Sequence, residues 1–271
     1  MERDRLQLQR LELKYIVSEP KALAIRDYVR SYLELDEYSQ DQPNCSYPIH
    51  SLYLDSDGLK TYWDTINGMK NRFKLRLRYY DDRPSSPVFF EIKRRMNDAI
   101  SKQRGGVRRP AVDWLLAGHL PEPQHLLSEN PKELVALQRF NDLMMGLRAC
   151  PKVHVSYCRE AWMSTHGNSV RVTMDRDVYC SVEFGSSLRT EMEKPVRPFG
   201  HKVILELKFT DRFPNWFREL VETFDLTRGA AAKYADGVTV IGEHRFCQGA
   251  RRWAPHNLAG VDLTVRPGVD G

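Results

Sequence analysis

The segment 74–78 places three cations, Lys74, Arg76 and Arg78, at alternate positions with leucines between them. In a β-strand, alternate side chains lie on one face, about 7 Å apart. Three cations in such a row repel one another unless an anion lies across them. A solvated outer face is the commonest reason for one such row, so this segment alone does not identify a ligand.

A second charged pattern, Glu-x-Lys, occurs three times, each time between large apolar residues. It pairs Glu12 with Lys14, Glu91 with Lys93, and Glu206 with Lys208. If the apolar neighbours pack outward against helices, the charged faces of these strands share one interior. Such an interior is stable only when water and a ligand of opposite charge fill it. Together with the row at 74–78, the repeats favour an inward-facing cationic lumen.

The chemistry of this lumen suits a chain of phosphates. Arg presents a planar fork and Lys a point charge to phosphate oxygens. The carboxylates among the cations are ligands that Mg²⁺ or Mn²⁺ accepts, and such ions bridge phosphates in phosphoryl transfer. The sequence therefore predicts a site for a polyphosphate-like anion with a divalent metal.

Period-two alternation predicts eight strands that must position these residues. We expect them over residues 8–17, 50–56, 72–80, 88–95, 102–109, 153–163, 170–178 and 202–210. Helices are expected over residues 18–35, 59–66, 111–148 with a break at the prolines, and 213–224 after a cap at Asp211. The order indicates an α+β fold with mostly antiparallel strands. A sandwich would leave the charged faces in solvent, whereas a closed barrel would turn them inward.

Overall charge and cysteine content limit the class of protein. The 271 residues include 41 Lys and Arg against 36 Asp and Glu, so the net charge of +5 names no partner by itself. The five cysteines are an odd number without a Cys-x-x-Cys pair, which argues against a disulfide framework and a zinc knuckle. We expect a reduced, cytoplasmic protein.

Several familiar motifs are absent from the sequence. It contains no P-loop, no Gly-x-Gly-x-x-Gly and no His-Glu-x-x-His. The N-terminus is charged and no apolar run approaches the roughly 20 residues of a membrane span, so we expect no signal peptide and no direct span. One domain is expected over residues 1–246, followed by a loose tail over 247–271.

In this order and spacing, the segments resemble the VTC-type polyphosphate polymerase domain, within the wider CYTH or triphosphate tunnel metalloenzyme superfamily. The resemblance extends from about residue 10 to residue 242. It rests on the charged segments above and on residues 51–56, 157–159, 170–175 and 233–234. It implies an eight-stranded antiparallel β tunnel barrel with flanking helices, which agrees with the eight predicted strands. It also implies that triphosphate binds in the tunnel with a divalent metal.

The resemblance further implies roles for individual residues. The catalytic cations that hold the phosphates would be Lys14, Arg76, Arg78, Lys93, Arg159, Arg171 and Lys233. Further substrate contacts would come from Arg10, Lys74, Lys102, Arg104 and Lys208. Glu206 would carry Mn²⁺ or Mg²⁺, with help from Glu12 and Glu91. Strict alternation places Arg159 on the same face as Val153, Val155 and Tyr157.

One position departs from the wider superfamily. Its hydrolase and cyclase branches begin with Glu-x-Glu-x-Lys, whereas this chain has Arg10 at the first Glu position. Replacing an acid by a base removes a metal ligand and adds a phosphate contact. The change favours a longer polyanion and the polymerase-like branch.

The expected function is ATP-dependent polyphosphate synthesis, with ATP and inorganic polyphosphate as ligands. A metal-dependent inorganic tripolyphosphatase and a non-catalytic polyphosphate or nucleotide sensor stay open as alternatives. A nucleic-acid binder is disfavoured, since its cations should lie outside with interleaved aromatics, and we expect the aromatics here on the face opposite the cations. A separately encoded membrane-protein partner also stays open.

Overall fold

The architecture is one antiparallel sheet with helices on its outer side and at one end. The computed structural model describes residues 10–97, 99–165, 169–210 and 212–246. The strands are β1 (Arg10–Val17), β2 (Glu34–Leu35), β3 (Tyr47–Asp55), β4 (Asn71–Tyr79), β5 (Pro87–Met96), β6 (Ala99–Arg108), β7 (Cys150–Met163), β8 (Val170–Val182) and β9 (Val203–Thr210). The helices are α1 (Glu19–Val29), α2 (Glu37–Gln40), α3 (Lys60–Ile66), α4 (Val112–Leu116), α5 (Pro131–Leu147), α6 (Asn215–Thr223) and α7 (Lys233–Ile241).

The strand order wraps the sheet around a lumen. It runs β2-β7-β3-β4-β5-β6-β1-β9-β8, and β8 also pairs with β7, so the eight longer strands follow one another around a ring. Among the described residues, β1 and β6 pair only at Arg10 and Ile100, which makes this the least hydrogen-bonded seam. The predicted α+β tunnel barrel is thereby confirmed over the sandwich.

Helices cover the apolar outer face of the strands. Val203, Leu205 and Leu207 of β9 belong to a buried cluster with residues of α1 and α6. On the other side, the β4–β6 strands pack against α4 and α5, where the rings of Phe90 and Phe140 lie 4.9 Å apart. Burying one such large side chain contributes roughly 1.5–3 kcal/mol. With this face covered, the alternate, charged residues of the same strands point into the barrel.

A close approach between β6 and α5 depends on Gly105. A Cβ at this position would lie 2.5 Å from Leu137 Cγ and 2.7 Å from the backbone oxygen of Glu133. A helix backbone cannot yield as a flexible side chain does, so any larger residue must push α5 away from the sheet. The glycine therefore sets how the outer helix supports the strands that carry the charged segments.

Helix α7 occupies the inner side of the barrel at one end. Tyr234, Ala235 and Val238 pack with Val155 of β7 and Ile204 of β9 in a third buried cluster. Ile204 shares the face of β9 that carries Glu206 and Lys208, so this cluster lies inside the ring. The lumen is therefore apolar and filled at one end, and charged along the rest of its length.

The element bounds differ from the prediction in several places. Helix α1 ends at Val29 instead of residue 35, because residues 34–35 add to the free edge of β7 as β2. The stretch 111–148 splits into α4 and α5, and α2 and α7 were not predicted. Pro214 occupies the N-cap of α6, while the expected cap Asp211 and the expected tail over 247–271 lie outside the described residues.

Two expectations from composition can be compared with the described residues. Within them, all four cysteines, Cys45, Cys150, Cys158 and Cys180, are free thiols. No helix in the same ranges is long and apolar enough to cross a membrane.

Candidate functional site

Glu91, on β5, is the centre of one ion-pair cluster inside the barrel. Oε2 of this fully buried carboxylate lies 2.7 Å from Arg76 Nη2 and 3.8 Å from Arg78 Nε, both on β4. Oε1 lies 2.5 Å from Lys102 Nζ and 3.9 Å from Arg104 Nε, both on β6. Burial acts to raise the pKa of Glu91, but Arg76, Arg78 and Lys102 outweigh it and hold the pKa well below its usual range. We call Glu91 with these four cations the Glu91 cluster.

Two tyrosines fix the arginines of this cluster. Arg76 Nη1 donates to Tyr53 Oη at 3.0 Å, and Arg78 Nη2 donates to Tyr157 Oη at 3.1 Å. Burial acts to raise the pKa of Tyr53, and the charge of Arg76 overcomes it, so the pKa is lowered. Each guanidinium is thus held from the carboxylate side and from the phenol side, which leaves it preorganised for an anion.

Glu206, on β9, is the centre of a second cluster. Oε1 lies 3.1 Å from Lys14 Nζ and 3.4 Å from Lys233 Nζ. Oε2 pairs with Lys208 and lies 3.6 Å from Arg159 Nη2. Burial acts to raise the pKa of Glu206, and the charges of Lys14, Lys208 and Lys233 lower it well below its usual range. The cations come from β1, β7, β9 and the first residue of α7.

Asp175, on β8, belongs to the same cluster. Arg159 donates to its two carboxylate oxygens, each at 2.7 Å, and Lys233 Nζ lies 2.6 Å from Oδ2. Burial acts to raise the pKa of Asp175, and Arg159 and Lys233 lower it to about 2. The sequence prediction missed this residue, although alternation on β8 puts it on one face with Arg171 and Thr173. We call Glu206 and Asp175, together with Lys14, Arg159, Lys208 and Lys233, the Glu206 cluster.

Glu12, on β1, joins Lys14 of the Glu206 cluster to Lys93 of β5 across the seam between β1 and β6. Its carboxylate lies 3.1 Å from Lys14 Nζ and 3.2 Å from Lys93 Nζ on β5. Burial acts to raise the pKa of Glu12, whereas Lys93 and Lys14 lower it, and the net shift is downward. Because Lys14 also contacts Glu206, these ion pairs extend the Glu206 cluster to β5, the strand that carries Glu91.

The two clusters, together with Glu12 and Lys93, hold many more cations than carboxylates. Four carboxylates, Glu12, Glu91, Asp175 and Glu206, contact Lys14, Arg76, Arg78, Lys93, Lys102, Arg104, Arg159, Lys208 and Lys233. Burial lowers the pKa of Lys208 to about 8 and the pKa of Lys102 to about 7. An excess of buried positive charge of this kind is offset by a bound anion.

Three predicted residues lie apart from these contacts. Arg171 pairs with Asp36 at 2.8 Å, at the N-cap of α2, although its backbone is opposite Lys208 in the sheet. Lys74 lies over the ring of Tyr234, 5.8 Å from the centroid, and burial with repulsion from Lys14 lowers its pKa to about 7. The backbone of Arg10 pairs with Thr210, and its side chain lies outside the described residues.

The inner face of β7 carries both valines and Arg159, and the structure explains why. Val153, Val155 and Tyr157 precede Arg159 on the inner face of β7, and the valines contact α7 at the apolar end of the lumen. The strand then passes from that end into the charged region, where Arg159 meets Asp175. Alternation gave the right face, and the position of α7 explains why one face carries both kinds of residue.

The expectation that aromatics lie opposite the cations is wrong for much of the lumen. Tyr53 and Tyr157 do not lie on the outer face of the sheet. Their hydroxyl groups accept hydrogen bonds from Arg76 and Arg78 inside the barrel. Phe89 shares the inner face of β5 with Glu91, and the guanidinium of Arg104 lies 3.4 Å from its ring centroid. The outward aromatics Phe73 and Tyr79 had suggested the simpler arrangement.

The carboxylates that could hold a divalent metal are Glu12 and Glu206. Among the described residues, no group of three or more His, Cys, Asp and Glu side chains is arranged to hold a metal. Glu12 and Glu206 nevertheless converge on one ammonium, Lys14 Nζ, and Thr173 Oγ1 lies 3.3 Å from Glu206 Oε2. One or two carboxylates, completed by phosphate oxygens and water, are the usual shell of Mg²⁺ in phosphate sites.

We compared the chain with known protein families, curated sequences and solved structures. No curated protein sequence matches the chain. Among solved structures, a protein from Bacillus halodurans described as a "putative adenylate cyclase" is similar at a TM-score of 0.45 and 12% identity, over 83% of this chain and 94% of that chain. The model of the VTC domain matches residues 9–241. By this match over most of its length, the chain belongs to the VTC domain family.

Proposed function

We propose that the lumen is the active site of an ATP-dependent polyphosphate polymerase. The observation that carries the proposal is the excess of inward cations over carboxylates within one lumen. A row of phosphates supplies the missing negative charge, and the arginine forks and lysine ammonium groups suit its oxygens. Membership of the VTC domain family supports phosphotransfer chemistry at this site.

In the proposed reaction, a terminal oxygen of the polyphosphate chain attacks the γ-phosphorus of ATP. The new P–O bond lengthens the chain by one unit, and the bond from γ-phosphorus to the bridging oxygen breaks, so that ADP leaves with the electron pair. Arg76, Arg78 and Arg159 spread the charge of the loose transition state. The other cations align the attacking and leaving groups. No protein nucleophile is required.

A divalent metal, Mn²⁺ or Mg²⁺, would be held by Glu206 with Glu12 and would offset phosphate charge when bound. The chain's own part is to orient these carboxylates. Lys14 holds both of them from one side, and Lys208 holds Glu206 from the other. Glu91 is surrounded by four cations, so we assign it to positioning Arg76 and Arg78 instead of binding the metal.

The test is to incubate the purified protein with ATP and Mn²⁺ and to separate the products on a gel. We expect ADP together with a ladder of polyphosphate, and about 10²–10³-fold slower formation of both by Arg76→Ala. Arg30→Ala is the matched control, because Arg30 is exposed and pairs only with Asp27 in the contacts described for it. Absence of both products from a folded parent protein would overturn the polymerase. Orthophosphate from tripolyphosphate without polymer would instead identify a tripolyphosphatase.

A further inference from the structure

A row of aromatic side chains continues the inner face of the barrel beyond the cations. Tyr80 follows Arg78 by two residues, directly after the end of β4, and Phe89 precedes Glu91 by two residues on β5. Tyr47 begins β3 directly opposite Arg159 of β7. Two residues along a strand span about 7 Å, so Phe89 is the next inward neighbour of Glu91, and the ring of Tyr80 contacts both Phe89 and Tyr47.

Ring-to-ring contacts join these residues into one surface with Tyr38 of α2. The ring centroids of Tyr38 and Tyr47 lie 5.8 Å apart, those of Tyr47 and Tyr80 lie 6.5 Å apart, and those of Tyr80 and Phe89 lie 6.3 Å apart. The rings are tilted or edge-on to one another, so they do not cover each other's faces. Tyr38 is 63% exposed. We call these four residues the aromatic rim.

Charged residues at the edge of the lumen hold the aromatic rim in place. Asp36 caps α2 by accepting from the backbone N–H of Ser39 at 3.0 Å, and it also accepts from Tyr47 Oη at 3.3 Å and Arg171 Nη2 at 2.8 Å. On the other side, the guanidinium of Arg104 stacks on Phe89 and also approaches Glu91. Arg104 of the Glu91 cluster therefore contacts the rim directly, and Tyr47 of the rim shares its partner Asp36 with Arg171.

We infer that the aromatic rim binds the base of a nucleoside triphosphate, preferably a purine, by stacking on Tyr38 and Tyr80. The inference rests on the proposed function, in which the triphosphate lies among the cations. A ligand with an anionic chain at one end and a flat ring at the other matches the two adjoining surfaces. Any base has a π-face, so stacking alone favours the larger purine ring without strict selection.

The inference assigns separate tasks to the two surfaces. The cations bind any polyphosphate, and the aromatic rim distinguishes a nucleotide donor from an inorganic chain. A growing polymer has no base, so it gains nothing from the rim. The rim would thereby let the same cationic lumen hold donor and product with different affinities.

The experiment compares two ligands that differ in the base. Binding of adenylyl imidodiphosphate, a non-hydrolysable ATP analogue, and of inorganic tripolyphosphate is measured by calorimetry for the full chain. We expect Tyr38→Ala to weaken binding of the nucleotide about tenfold and to change tripolyphosphate binding less than twofold. Tyr38→Phe, which keeps the ring, should retain parent affinity. Tyr32→Ala is the matched control, because Tyr32 is 45% exposed but stacks on Trp216 instead of the rim.

A spectroscopic readout follows the base directly. The fluorescence of etheno-ATP should be quenched when it binds the parent protein and should keep more of its intensity with Tyr38→Ala or Tyr80→Leu. Equal weakening of both ligands by these variants, or no change in either, would overturn the base site while leaving the proposed function in place. Failure of the parent protein to bind either ligand would overturn the proposed function, and the base site with it.

Discussion

The Glu91 cluster and the Glu206 cluster occupy opposite sides of the same lumen and differ in charge balance. One carboxylate meets four cations around Glu91. Around Glu206, a second carboxylate, Asp175, shares Arg159 and Lys233, and Glu12 shares Lys14. We therefore propose that the first cluster grips phosphates and that the second holds a metal beside them.

The clusters also differ in how the chain assembles them. Every member of the Glu91 cluster lies on β4, β5 or β6, which are consecutive antiparallel strands. The Glu206 cluster combines β7, β8, β9 and α7 with Lys14 of β1, which comes from the other end of the chain. Local pairing can position the Glu91 cluster early in folding, whereas the Glu206 cluster depends on the docking of β1 against β9.

The largest expected effect is on stability, from Glu91→Gln. Removing this charge leaves four cations without their carboxylate, which costs about 3–5 kcal/mol in the free energy of unfolding. Glu206→Gln should cost less, because Asp175 and Glu12 still pair with Arg159, Lys233 and Lys14. Urea denaturation of both variants measures the difference.

Added tripolyphosphate sharpens the same comparison. It should restore more stability to Glu91→Gln than to the parent protein, because the anion replaces the missing carboxylate. The division of roles would be contradicted if Glu91→Gln and Glu206→Gln lost the same stability. It would also be contradicted if tripolyphosphate stabilised Glu91→Gln no more than the parent protein.

The next effect concerns turnover. Arg76→Ala should reduce kcat/KM by about 10²–10³-fold, the usual effect of removing one charge-stabilising donor from a transition state. Arg171→Ala should reduce it by far less, since Arg171 is bound to Asp36 at the edge of the lumen. Initial rates of ADP release measure both. A larger loss for Arg171→Ala would show that this residue leaves Asp36 to act on the phosphates.

A smaller effect tests how the outer helix supports the Glu91 cluster. Gly105→Ala should lower the free energy of unfolding by about 1–3 kcal/mol, because the new methyl group would meet the backbone of α5. Gly146 lies in α5 itself, and a Cβ there would meet no atom within 4 Å, so Gly146→Ala is the matched control. Thermal unfolding measures the stability of both variants. If Gly105→Ala is as stable as the parent protein, β6 and α5 do not approach as closely as described.

The smallest effect is a pH dependence from lysines with lowered pKa values. Lys74 and Lys208 have pKa values of about 7 and about 8 in the folded protein, against about 10.4 when unfolded. Between these values the unfolded chain binds more protons, so the stability of the ligand-free protein should rise with pH from about 7 to 10. Affinity for ATP should fall over the same range, because binding favours the protonated lysines.

Denaturation and calorimetry at pH 7, 8 and 9 measure the two trends. Lys74→Gln provides the control and should flatten both slopes. Affinity that rises with pH in the parent protein would contradict the assignment of these lysines to anion binding.

Much of the fold could be predicted because most strands keep a strict period of two. The charged segments at 12–14, 74–78, 91–93 and 206–208 lie on strands and face one interior, as expected. Helix α7 escaped prediction because β-branched residues and Gly237 weaken its helical pattern. Gly237 is explained only by its neighbour, since a Cβ there would lie 2.7 Å from Cys180 Sγ.

The cations that line the site could be predicted from the sequence, but their ion-pair partners could not. Alternation identified the inward cations, yet it could not assign Arg171 to Asp36 or Lys233 to Asp175, because those partners lie more than fifty residues away in sequence. The roles in phosphate and metal binding stay predictions that the experiments above address.

The sequence by itself determined which faces of the strands carry charge and which carry apolar side chains, because side-chain direction in a strand follows from position alone. Only the tertiary structure decided that the charged faces enclose one lumen, that α7 fills one end of it, and that Glu91 and Glu206 divide the cations unequally. Those outcomes depend on which strands become neighbours when the ring forms, and on distances that no local pattern encodes.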